Sequence, residues 1–82
     1  MTREKILKLR EEFAELSGFE VSAHSLTTIE NEDGSGYRYL TFSIPGGGDT
    51  IESMQACNAA ATDLYLKHHI HIETDLWCTQ DD

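Results

Sequence analysis

The 82-residue chain predicts an α+β fold, with two helices on one face of a three-stranded sheet in the order α-β-β-α-β. Three observations predict it. Apolar residues recur every three or four positions in two stretches, they alternate singly in three others, and turn-forming segments separate the stretches. The length allows a single domain over residues 1–82. A hydrophobic content of 39% and a single proline lie outside the composition of disordered chains.

Thr2 is suited to cap a first helix, in which Ile6, Leu9, Phe13 and Leu16 form a stripe widened by Leu7 and Ala14. The helix is expected over residues 3–16, and Ser17-Gly18 supplies its C-cap. Its charges oppose its dipole, with Arg3, Lys5 and Lys8 near the positive end and Glu11, Glu12 and Glu15 near the negative end. Packing of the apolar stripe must hold such a helix, and its charges lie on a solvated face or serve a contact.

Phe19, Val21 and Ala23 alternate with polar residues, and Thr27, Thr28 and Ile29 continue as a strand. The alternation slips between His24 and Leu26, where a bulge is expected. Residues 31–36, Asn-Glu-Asp-Gly-Ser-Gly, form a turn, and residues 37–44 return as the second strand of a hairpin. Leu40, Phe42 and Ile44 should meet the helices, leaving Tyr37, Tyr39, Thr41 and Ser43 on the outer face.

Pro45-Gly46-Gly47-Gly48 reads as a flexible connector, and Asp49-Thr50-Ile51-Glu52 as a capping-box-like start for the second helix. Ile51, Met54, Cys57, Asn58, Ala61, Leu64 and Tyr65 follow at roughly helical spacing. Ile70, Ile72, Thr74, Leu76 and Cys78 then alternate with His69, His71, Glu73, Asp75 and Trp77, the pattern of a third strand. The second helix makes this strand's connection a crossover, parallel to the second strand and right-handed.

Charge is the chain's strongest compositional signal. Fifteen acidic and six basic side chains give −9, distributed as +3 over residues 1–10 and −12 over residues 11–82. Such a surface repels phosphate backbones and favours cationic ones, so the expected partner is a basic protein surface, of the kind that grips nucleic acid. Direct nucleic-acid binding is not expected, because Tyr37 and Tyr39 have only Arg38 nearby as a cation. The basic start of the chain leads into an amphipathic pattern and not an apolar run, and no apolar stretch is long enough for a bilayer. Two cysteines make no disulfide framework, so a cytoplasmic protein without membrane association is expected.

The motifs of catalysis and cofactor binding are missing. The glycines at 46–48 precede a helix, as in a phosphate loop, but no lysine follows and Asp49 and Glu52 occupy the phosphate's place. Neither cysteine nor Ser25 beside His24 stands in a nucleophile motif, so neither an enzyme nor a cofactor is expected. His69 and His71, on one side of a strand and roughly 6–7 Å apart, are weak candidates for a zinc pair that Glu73 could complete. Histidines beside carboxylates could also sense pH, with acidification weakening a charge-driven complex.

These residues point to a binding protein that occupies a basic surface. Carboxylates of Glu30, Glu32, Asp33, Glu73 and Asp75 would stand in for phosphates, and Tyr37, Tyr39 and Trp77 would supply apolar anchors. In being small, acidic, free of motifs and mixed α/β, the chain resembles the phage-encoded inhibitors of bacterial defence, including anti-CRISPR proteins. The resemblance is of overall character and carries over no motif. It implies a nuclease or effector complex as target, with a basic channel for DNA. Two other readings are a metal- or pH-responsive regulatory domain using His69 and His71, and an accessory subunit or homodimer that buries the open sheet face.

Overall fold

The computed structural model describes residues 2–77, and they follow the predicted order: α1 (Arg3–Ser17), β1 (Ala23–Glu30), β2 (Gly36–Ser43), α2 (Ile51–His68) and β3 (His71–Asp75). The sheet order is β1-β2-β3, antiparallel between β1 and β2 and parallel between β2 and β3.

Local chemistry sets the helix limits. The Thr2 hydroxyl accepts from the Lys5 amide, and Gly18, at φ 81°, closes α1 by donating its amide to the Ala14 carbonyl. The buried stripe is Ile6, Leu9, Phe13 and Ser17, whereas Leu16 is 50% exposed. Ser17 tolerates burial because its hydroxyl donates to the Phe13 carbonyl at 2.7 Å and accepts from the Phe19 amide at 3.1 Å. α2 begins one residue later than the Asp49-based reading. Thr50 is the N-cap, and it exchanges capping hydrogen bonds with Ser53 in the place usually taken by Glu or Gln. Ile51 consequently points to solvent, 71% exposed, while Ser53, Cys57, Ala60 and Leu64 face inward.

The core lies between the helices and one sheet face. Leu40, Phe42 and Ile44 are fully buried, with Phe13, Cys57 and Leu64 across from them and Ile70, Ile72 and Leu76 from the third strand and its flanks. Phe13 meets Phe42 edge to face, with centroids 5.6 Å apart. Desolvation raises the Cys57 thiol pKa, which keeps it protonated and makes it a small core hydrophobe.

Two sequence expectations are displaced. The β1–β2 ladder is regular from Ala23 to Glu30, so there is no bulge at His24–Leu26. The slip occurs earlier. The Ser22 amide donates to the carbonyl of Ser43, the residue that Ala23 already opposes, so two residues stand against one and both Val21 and His24 turn inward. The glycine run is a packed seat and no flexible connector. Gly47 and Gly48 are buried, and a Cβ on Gly48 would come within 3.0 Å of the Leu76 carbonyl and of the Trp77 ring. Side chains are excluded there because the residues after β3 rest on the loop. β3 is also shorter than the sequence alternation, since His69 caps α2, and Cys78 lies outside the described residues.

Candidate interaction surface

The strand registers set which side chains share the open face. Opposed residues point the same way, so Tyr37, Tyr39, Thr41 and Ser43 of β2 lie with Ile29, Thr27, Ser25 and Ala23 of β1 and with His71, Glu73 and Asp75 of β3. Both helices pack on the other face. Arg38 alternates with Tyr37 and Tyr39 and so belongs to the helix side, which leaves the outer face without Lys or Arg among the described residues. Its formal charges among those residues are the carboxylates of Glu73 and Asp75.

An aromatic run crosses this face. Tyr37 and Tyr39 stack with centroids 6.1 Å apart, Tyr39 meets His71 edge to face at 6.3 Å, and His71 meets Tyr65 of α2 at 6.4 Å. The run therefore turns around the β3 edge and ends at an open groove between that strand and α2, lined by Asn58, Ala61, Thr62, Tyr65, His71 and Ile72. Tyr65 was not legible as a member of this surface, because the sequence placed it in the buried stripe of α2. The alternation put His71 on the same side of the strand as Glu73 and Asp75, and the register brings it level with Tyr39.

The eight expected contact residues do not form one surface. Tyr37, Tyr39, Glu73 and Asp75 share the outer face. Glu30 opposes Gly36 on the helix side, and Glu32 and Asp33 occupy the exposed turn. The levels of Glu30 and Glu73 are five residues apart along β2, about 17 Å. Trp77 stands apart again, 72% exposed beyond β3 with its ring against Gly48.

The turn is internally braced. The Asp33 carboxylate accepts from the Ser35 hydroxyl at 2.6 Å and from the Ser35 amide at 3.0 Å, and these bonds hold its pKa below the ordinary aspartate value. Asp33 thus remains ionised further into acid than a free aspartate.

The histidines divide among different tasks. His69 is no strand residue. It adopts a left-handed conformation at φ 56° as the C-cap of α2, donating its amide to the Tyr65 carbonyl at 2.8 Å. It therefore does not alternate with His71 along β3, and the expected strand pair is lost. Among the described residues no three His, Cys, Asp or Glu side chains are grouped to hold a metal ion. His68 instead reaches across to α1, its Nε2 lying 2.9 Å from a Glu12 carboxylate oxygen, with the Lys67 ammonium 3.6 Å from the other oxygen. The His68 hydrogen bond is the chief cause that lowers the Glu12 pKa, ahead of the Lys67 charge, while partial burial opposes it. Arg10 similarly donates to the Val21 carbonyl at 2.6 Å and lies 2.9 Å from His24 Nδ1. Glu12, one of the α1 charges that oppose the helix dipole, therefore serves a tertiary contact, as does Arg10 from the middle of the helix.

No protein-family model, curated protein or solved structure matched the chain in the comparisons made. Among the described residues, no helix is long and apolar enough to cross a membrane.

Proposed function

We propose that the chain is an acidic binding protein that acts without catalysis, by laying its outer sheet face on a basic, nucleic-acid-binding surface of another protein. The observation that carries this reading is the pairing of an exposed aromatic run with carboxylates on a face that holds no Lys or Arg among the described residues. Flat amphipathic rings suit the centre of an interface, and the carboxylates beside them favour a cationic partner. The acidic hairpin tip, Glu32 and Asp33, supplies a second contact farther along the same partner.

In the sharpest form of this reading the carboxylates take the place of phosphates, and the partner is a nuclease or effector complex of a bacterial defence system, inhibited as by the anti-CRISPR-type proteins that the chain resembles in character. The bulk acidity of residues 11–82 steers the encounter, while Tyr37 and Tyr39 slow dissociation.

The test is capture from a nuclease-treated bacterial lysate, followed by competition with DNA and titration of the captured protein. The expected result is a nucleic-acid-binding protein displaced by DNA and bound more weakly by Glu73→Lys/Asp75→Lys. At about 0.5–1 kcal/mol per exposed charge contact, the two reversals weaken binding by roughly tenfold. Wild-type affinity in that variant and in Glu32→Lys/Asp33→Lys, or capture indifferent to DNA, would overturn the reading.

A further inference from the structure

The free edge of β1 is unlike the rest of this molecule. The Ser43 carbonyl accepts from Ser22 while the Ile44 amide donates to Asp75, so odd residues of β2 direct their backbone groups to β1 and even ones to β3. Through the register, the odd residues of β1 are consumed by β2. The amides and carbonyls of His24, Leu26, Thr28 and Glu30 consequently point to the open side.

Exposed edges in natural proteins are blunted by short length, lysine, proline, bulges or other charges. Past the bulge where Ser22 and Ala23 both stand against Ser43, this edge has none of those devices over residues 24–29. It is straight in register, part of an eight-residue strand, and lacks any Asp, Glu, Lys, Arg or Pro before Glu30. The opposite edge, β3, is five residues long and carries Glu73 and Asp75.

We infer that the β1 edge is a self-association surface, on which a second copy of this chain pairs antiparallel to make a continuous six-stranded sheet. Charge selects the occupant. Two chains of −9 repel, and β1 is the edge where their backbones meet without carboxylates opposed near its centre. A basic strand from another protein would be drawn to the acidic β3 edge instead. A two-fold axis at Leu26 pairs the outward groups of His24 with those of Thr28 in the other copy, and Leu26 with its twin. Leu26, 39% exposed on the helix side of β1, thereby gains an apolar neighbour in both copies. The arrangement is isologous and closes at two.

The inference stands apart from the proposed partner binding, and ionic strength separates them. Raising salt from about 50 mM to about 500 mM screens the repulsion between copies and tightens the dimer, whereas it weakens a charge-driven heterocomplex. The experiment is sedimentation equilibrium of the full chain over a range of concentrations at both salt levels. The expected species has twice the 9.2 kDa chain mass. Thr28→Pro removes an outward amide while sparing the β1–β2 ladder, and Leu26→Lys sets two ammonium groups at the axis; both are expected to sediment as monomers. Circular dichroism melting checks that each variant is folded, and amide hydrogen exchange in the wild type should show Leu26 and Thr28 protected more strongly as concentration rises. A wild-type monomer at all concentrations, or a dimer undiminished in both variants, would overturn the inference.

Discussion

Halfway along β2 the surroundings of one strand change from solvent to core. Gly36, Tyr37 and Arg38 are exposed, Tyr39 is half-buried, and Leu40 and Phe42 are fully buried. The half beneath the helices is held by packing against Phe13, Cys57 and Leu64. The projecting half is held by cross-strand pairs and a turn braced by Asp33 and Ser35. One strand thus has two surroundings: its covered half packs into the core, and its projecting half holds Tyr37 and Arg38 out to solvent.

The greatest contrast should come from truncating the same strand on each side of this boundary. Phe42→Ala removes a buried ring and its edge-to-face contact with Phe13, at an expected cost of about 3–5 kcal/mol in urea unfolding. Tyr37→Ala, 56% exposed, should cost under about 1 kcal/mol. Equal losses would show the projecting half to be part of the core.

Gly36 sharpens the comparison from the other direction. It is exposed, yet a Cβ there would run into the Ile29 carbonyl of the neighbouring strand. Gly36→Ala is therefore expected to cost about 1–3 kcal/mol, more than Tyr37→Ala one residue away. A neutral effect would mean that the hairpin end shifts freely to admit the methyl group.

The smallest effect belongs to the helix layer. Because the folded-state pKa of Glu12 is lowered, chiefly by the His68 hydrogen bond, its contribution is present above the ordinary value of 4.5 and is lost as pH falls through the lowered one. Glu12→Gln should lower stability by about 0.5–1 kcal/mol at neutral pH. That difference should disappear in acid, below the folded-state value. Melting curves from pH 7 to strong acid would check it, and a pH-independent difference would assign Glu12 a packing role alone.

The sequence made the element order legible because each signal was local. Thr2 and Gly18 bound α1, and the alternation of Leu40 with Phe42 and of Ile70 with Ile72 marks the sheet face toward the helices. What escaped was polar or distant. Ser17 and Ser53 interrupt the apolar period, yet both are buried because nearby backbone groups use their hydroxyls: that of Ser17 donates to the Phe13 carbonyl, and that of Ser53 accepts from the Thr50 amide and donates to the Thr50 carbonyl. His69 carries the look of a strand alternation while its backbone turns left-handed at a helix end. The Glu12–His68 contact joins positions 56 apart in sequence, which no local pattern encodes. The interaction surface was half legible for the same reason. Tyr37, Tyr39 and His71 follow from alternation within their strands, while the level of His71 beside Tyr39 comes from the register and Tyr65 joins them only through the crossover.

The packed glycine seat has a consequence in time. The hairpin joins strands that are adjacent in the chain and can close within microseconds, whereas β3 must wait for the whole of α2 to cross over before it can pair with β2. Leu76 and Trp77 rest on Gly47 and Gly48 only once that strand is in place. A nascent chain emerging from the ribosome would therefore hold its hairpin while Leu40 and Phe42 still lacked cover from Ile70 and Ile72. The interval before β3 docks is when this chain is most open to aggregation or proteolysis, and side chains added at the glycines would prolong it.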